Sequence, residues 1–154
     1  MFKKILFCTD FSENSHSAFT YALNLAKNYK SKLFILHVTE AYHPETLSSM
    51  YLPQERMEEL RISKKKELDK ELKTHYLRKL KEFKDYEVIF KQGKPFVEII
   101  QTAKIESIDL IVMGTHGTTG LDYVLFGSTA DKVVKKSLCP VLTIPHRGRR
   151  FKIP

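Results

Sequence analysis

Apolar residues along the chain fall into short continuous blocks, separated by stretches in which they recur at helix spacing. The first block, Lys3-Lys-Ile-Leu-Phe-Cys-Thr-Asp10, stays apolar until it ends in Thr9 and a carboxylate. A strand with both faces apolar belongs inside a parallel sheet covered by helices. Ser12 is a good N-cap for the next segment, in which Ala18, Tyr21, Ala22, Leu25 and Ala26 mark one face of a helix ending near Tyr29. Lys32 to Val38 is a second buried strand, so strand, helix and strand make one βαβ unit.

From Glu40 to about Pro53 the pattern breaks, with Pro44, Ser48, Ser49 and Pro53 in a connection long enough to be a lid or a surface excursion. Gln54 to Phe83 then predicts a long helix with Met57, Leu60, Leu68, Leu72, Tyr76, Leu80 and Phe83 as its buried stripe. The stripe is short and irregular, which suits a helix lying on a sheet better than a coiled-coil arm. Like-charged pairs, Glu67 with Glu71 and Lys66 with Lys70, leave local ion pairing a poor account of its charged face. Tyr86 to Lys91 alternates partly, as a strand nearer an edge does, and Pro95 opens a helix using Val97, Ile99, Ile100 and Ala103. Leu110 to Met113 is a fourth strand. A helix with Ala130, Val133, Val134 and Leu138 on one face leads to a short fifth, Cys139 to Pro145, bracketed by prolines.

Strands alternating with helices imply a parallel sheet wound on both faces, and a sheet begun at its centre takes the order 3-2-1-4-5. Ligands of such sheets sit beyond the carboxyl ends of the strands, where the winding reverses. Asp10 closes the first strand and Gly114 opens the loop after the fourth, so that order brings them together. The loop carries Gly114, Gly117 and Gly120 and closes on Gly127, Ser128 and Thr129 before the helix. Glycines let backbone approach a ligand, and a helix start leaves N–H groups unpaired, which suits an anion such as phosphate. On spacing alone a plain connection remains open, with Ser128 and Asp131 forming a capping box. Asp10, equally, could serve only to cap the turn after its strand.

Composition narrows the picture. The 154 residues suit one domain, 1–146, followed by a basic tail, 147–154, holding Arg147, Arg149, Arg150 and Lys152. The formal charge of +8 raises nucleic acid as a partner, but the excess lies in the tail and the charged helix without interleaved aromatics, so nucleic acid is not expected. No apolar segment suggests a signal peptide or a membrane span, and Cys8 and Cys139 read as small core residues, so a reducing cytoplasm is the expected home. Six scattered histidines show no metal-binding spacing. No Walker lysine, placed base or partnered nucleophile makes a committed catalytic set.

The loop resembles that of the universal stress protein family, whose ATP-binding members carry Gly, two residues, Gly, nine residues, Gly and then Ser or Thr. Here these are Gly114, Gly117, Gly127 and Ser128. Lys4 to Ser12, Leu36-His-Val38, Asp109 to Gly117 and Cys139 to Ile144 are similar to family segments as well, leaving 40–65 as the variable stretch. The resemblance implies an adenine nucleotide (ATP, ADP or AMP) held by Thr9, Asp10, Val38, Met113, Gly114, His116, Gly117, Gly127, Ser128 and Thr129. Asp10 would face the ribose or a phosphate-bound Mg²⁺, Val38 and Met113 would flank adenine, and Gly114 would admit the ribose. Gly117, Gly127, Ser128 and Thr129 would donate to phosphates, while His116 is a loop residue and not a catalyst.

Two positions depart from the family. Thr118 stands where many relatives have Arg or Lys, removing a cation from the outer phosphates, and Cys8 where Pro or Ala is common. The resemblance further implies a homodimer through Val141 to Ile144, a sensor or module with an unknown protein partner, and at most slow hydrolysis. An adenylating enzyme, or an interaction protein using its basic surface without nucleotide, are the alternatives.

Overall fold

The computed structural model describes residues 1–40, 53–116 and 126–145. Residues 41–52, residues 117–125 with Gly117, Thr118 and Gly120, and the basic tail 147–154, which the sequence reading singled out, lie outside them.

The strands β1 (Lys4–Thr9), β2 (Lys32–Thr39), β3 (Tyr86–Gln92), β4 (Leu110–Gly114) and β5 (Val141–Ile144) form one sheet in the order β3-β2-β1-β4-β5. Every neighbouring pair is parallel. The predicted order is the observed one, with the partly alternating third strand and the proline-flanked fifth at the two edges.

Strand alternation divides the core in two. Ile5 and Phe7 of β1, Leu33 and Ile35 of β2, and Leu110 and Val112 of β4 face α1 (Glu13–Tyr29). Leu6 and Cys8, Phe34 and Leu36, and Ile111 and Met113 face α4 (Pro95–Ile105) and α5 (Ser128–Lys136). Both faces of the central strands are thus buried, as their continuous apolar sequence requires. Cys8 and Cys139 are free thiols, and burial pushes the Cys8 thiol upward, so Cys8 behaves as a small apolar residue. At the opposite end of the sheet from the strand tips, Asp109 accepts from the N–H groups of Lys3 and Lys4 at 2.7 and 2.9 Å. Those bonds hold its carboxyl below the usual carboxylate range and pin the starts of β1 and β4 together.

The helices differ from expectation in detail. In α1, Ser12 caps as predicted, its side chain accepting from Ser15 N–H, but Tyr21 is exposed and Phe19 and Leu23 are buried in its stead. The long helix is α2 (Gln54–Leu72), a π-helical turn (Lys73–Leu77) and a last short turn, α3 (Arg78–Leu80). Only its lower half is core: Leu72, Tyr76 and Leu80 are buried against α1, whereas Met57 is 49% and Leu60 53% exposed. The upper half is laced by ion pairs three residues apart, Arg56 with Glu59, Arg61 with Glu58 and Lys64 with Glu67, which the sequence had argued against. Helix α5 stops at Lys136, so Leu138 lies beyond it and is exposed, as is Val134.

Candidate functional site

Three segments converge beyond the carboxyl ends of β1 and β4. The Gly127 N–H donates to the Thr115 carbonyl at 2.7 Å, and the Thr115 N–H donates to the Ile144 carbonyl at 3.0 Å. The exit of β4, the start of α5 and the end of β5 are therefore stitched by main chain. The Asn14 amide in the first turn of α1 donates through Nδ2 to the His116 carbonyl at 3.0 Å, tying the same exit to the start of α1.

Helix α5 begins differently from the expected capping box. Gly127 is its N-cap, Ser128 is already the first helical residue, and no described side chain caps the end. Asp131, the supposed partner of Ser128, instead pairs with Lys135 at 2.8 Å. A helix start that no described side chain caps leaves its main-chain N–H groups and the positive end of the helix dipole at the strand tips.

Asp10 stands exposed at the tip of β1, where its Oδ1 accepts from the Ser12 N–H at 3.0 Å. The next residue, Phe11, has φ of 61°, a conformation that a bulky side chain adopts only when its surroundings impose it. Here the Phe11 N–H donates to Thr9 Oγ1 at 2.9 Å, and its ring packs on His37 and Tyr76. This sharp turn leaves Asp10 exposed at the end of β1.

Thr9 itself turns the other way. Its hydroxyl is buried on the α1 face, hydrogen-bonded to Tyr76 Oη and, at 3.1 Å, to Ser15 Oγ, and His37 Nδ1 lies 2.9 Å from its carbonyl. Burial pushes the Tyr76 phenol up to about 12 and lowers the His37 imidazole below its ordinary value. Both rings are thus neutral at neutral pH and serve to fix the turn. Of the two residues expected to flank a base, Met113 is buried and Val38 half-buried, and both belong to the opposite, α4 and α5 side of the sheet. Val38, Met113 and the start of α5 therefore share a face, and the Thr9 side chain does not.

Gly114 has a reason the sequence did not suggest. A Cβ there would lie 2.7 Å from Asn14 Nδ2 and 2.9 Å from its Cγ, so the position is glycine because α1 fills the space. Asn14 is 3% exposed, and its Oδ1 has no hydrogen-bond partner among the described residues. His116 is half-buried, its Nδ1 2.7 Å from Thr115 Oγ1. Ser128 is exposed and Thr129 half-buried at the helix start, while Gly117 lies outside the described residues. Sequence reasoning gave no part in the site to Asn14 or Phe11 and placed Tyr76 only in the core. A polar residue in the first turn after a strand-end carboxylate was the available signal for Asn14.

This doubly wound sheet, with Gly114 at the end of β4 and Gly127 at the start of α5, has clear relatives. The model of the universal stress protein family matches residues 1–145, and the chain belongs to that family. It is 35% identical over 147 residues to the universal stress protein YxiE of Bacillus subtilis, covering 94% of this chain and 99% of that one. The solved structure of UspA from Lactobacillus plantarum is similar with a TM-score of 0.77 at 28% identity, over 92% of this chain and 97% of that one. That of MJ0577, from Methanocaldococcus jannaschii, gives 0.72 at 31%, over 97% and 99%. Two more distant structures share the fold: a universal stress protein in complex with cAMP, and one from Archaeoglobus fulgidus in complex with dAMP. Their TM-scores are 0.58 and 0.61, at 23% and 18% identity, over 93% and 94% of this chain and 96% and 98% of theirs.

Proposed function

We propose that this chain binds an adenine nucleotide at the tips of β1 and β4 and works as a nucleotide-dependent module of the stress response, sensing a condition or engaging a partner protein. The observation that supports the reading is the start of α5, which no described side chain caps and which the Gly127 to Thr115 hydrogen bond draws to the exit of β4, the neighbour of the strand that Asp10 follows. Its main-chain donors fit phosphate oxygens, and the Ser128 and Thr129 hydroxyls add to them. Val38 and Met113 on the same side supply apolar surface suited to a base. The Asp10 carboxylate fits ribose hydroxyls or a hard cation such as Mg²⁺ carried on phosphate. That relatives of this fold are seen with cAMP and dAMP supports an adenine ligand as the class. The reading also takes the chain as a homodimer joined along β5, whose outer edge no described strand covers.

Gentle denaturation of the purified protein, with mass measurement of what is released, is expected to yield AMP, ADP or ATP. At a hundredfold excess over Kd, the matching nucleotide stabilises the fold by about 2.7 kcal/mol. Gly127→Val should abolish that protection and keep the fold, because backbone at φ −66° and ψ 160° accepts valine while the branched side chain blocks a phosphate. No released nucleotide and no stabilisation by millimolar adenylates would end the proposal.

A further inference from the structure

Outside the crevice, one cluster of titratable groups has a geometry that packing alone does not require. His16 of α1 and His75 of the π-helical turn lie face to face, ring centroids 3.9 Å apart and planes 13° from parallel. The side chain of His16 is 13% exposed, with Nδ1 turned toward Glu13 at 3.8 Å; His75 Nε2 lies 3.2 Å from Glu71. His16 Nε2 is buried with no hydrogen-bond partner among the described residues. Tyr76, the residue after His75, packs its ring edge on His16 and sends its hydroxyl to Thr9 and Ser15.

We infer that the His16–His75 stack is a proton-sensitive clasp, which holds the π-helical turn and Tyr76 on the first helix when neutral and releases them when His16 takes a proton. A His16 cation carries N–H on both ring nitrogens, and the one at Nε2 meets no acceptor among the described residues and lies beside a second imidazole, with only Glu13 at 3.8 Å near Nδ1. The groups facing His16 pull in both directions. Burial and His75 disfavour its cation, as does Lys79 more weakly, while Glu13 and Glu71 favour it. The first two dominate, and His16 is held below the ordinary value of 6.5. The unfolded chain then binds the proton more readily than the folded one. The clasp's contribution is complete above pH 6.5 and is lost as the pH falls below it. π-helical turns are uncommon and frequent at functional sites, and His75 sits in one. Release would also free the Thr9 hydroxyl, one residue from Asp10, and so reach the tip of β1.

The test needs no nucleotide and stands apart from the reading of the crevice. Histidine ring and Tyr76 signals are followed by NMR from about pH 7.5 to about 5, the range in which imidazoles titrate. His16 is expected to titrate below 6.5, with the Tyr76 ring and the Thr9 amide moving at the same midpoint. Protection of the Tyr76 amide from exchange should fall, by at most about tenfold per pH unit, between 6.5 and that midpoint and level off below it. His75→Gln should raise the His16 midpoint, because one of its two main depressing causes is gone, and His37→Gln should leave it in place. Tyr76 signals indifferent to the His16 titration, or a midpoint unmoved by His75→Gln, would overturn the clasp. Should His75→Gln fail to fold, the wild-type titration decides alone.

Discussion

At position 114 a single methyl group decides whether the tip of β4 can sit against α1. The Cβ of an alanine there would press on Asn14 Nδ2 and Cγ and come within 3.3 Å of the Asn14 backbone carbon. The amide would have to leave its place and give up the His116 carbonyl. Overpacking and the lost hydrogen bond together predict that Gly114→Ala destabilises the fold by about 1–3 kcal/mol in a denaturant titration. The same geometry predicts coupling. With Asn14→Ala already made, most of the clash is gone, so Gly114→Ala should cost less than it does alone, and strictly additive costs would refute the contact as its cause. Loosening this contact should also weaken the proposed nucleotide binding, since the His116 carbonyl lies at the exit of β4.

Among the elements, the long helix shows how far a hydrophobic pattern reaches. Leu60 and Leu72 are both on the expected stripe, but Leu72 is buried against α1 and Leu60 is in solvent. Leu72→Ala is therefore expected to cost about 2–5 kcal/mol, and Leu60→Gln to stay within about 0.5 kcal/mol of wild type, both read from urea midpoints. A large loss at Leu60 would mean that something covers the upper half. Helical period says which side of a helix is apolar; it does not say how far the body of the protein extends beneath it. Strands were legible for the converse reason, since a continuous apolar run between glycine and proline has few places to go except a covered parallel sheet. Order along the chain plus that sheet put Asp10, Gly114 and the start of α5 at the same end of neighbouring strands, as the topology has them. The Ser128 capping box failed by one residue, because a helix start is set by backbone angles that the sequence states only loosely. The Thr9 to Tyr76 and Asn14 to His116 contacts span 67 and 102 residues and leave no local pattern to read.

For the whole molecule, the consequence of a five-stranded open sheet is that it has two edges, and the proposed dimer uses the shorter. Ile111 N–H donates to the Pro140 carbonyl and Thr115 N–H to that of Ile144, so Pro140 and Ile144 direct main-chain groups toward β4. In a parallel ladder such residues alternate along the strand, which leaves Val141 and Thr143 pointing their N–H and carbonyl groups outward. Val141, Leu142 and Thr143 are only half-buried. Thr143→Pro removes an outward donor and none that β4 receives, and proline is tolerated on an edge strand. The wild-type protein is therefore expected to show twice the monomer mass by light scattering, and Thr143→Pro the monomer mass with an unchanged far-ultraviolet circular dichroism spectrum. If the variant stays dimeric, the copies meet elsewhere; if the wild type is monomeric at micromolar concentration, the edge of β5 is left to another partner. The proposed nucleotide site, built from β1, β4 and α5 of one copy, should survive in the monomer, which keeps loss of the dimer distinguishable from loss of the ligand.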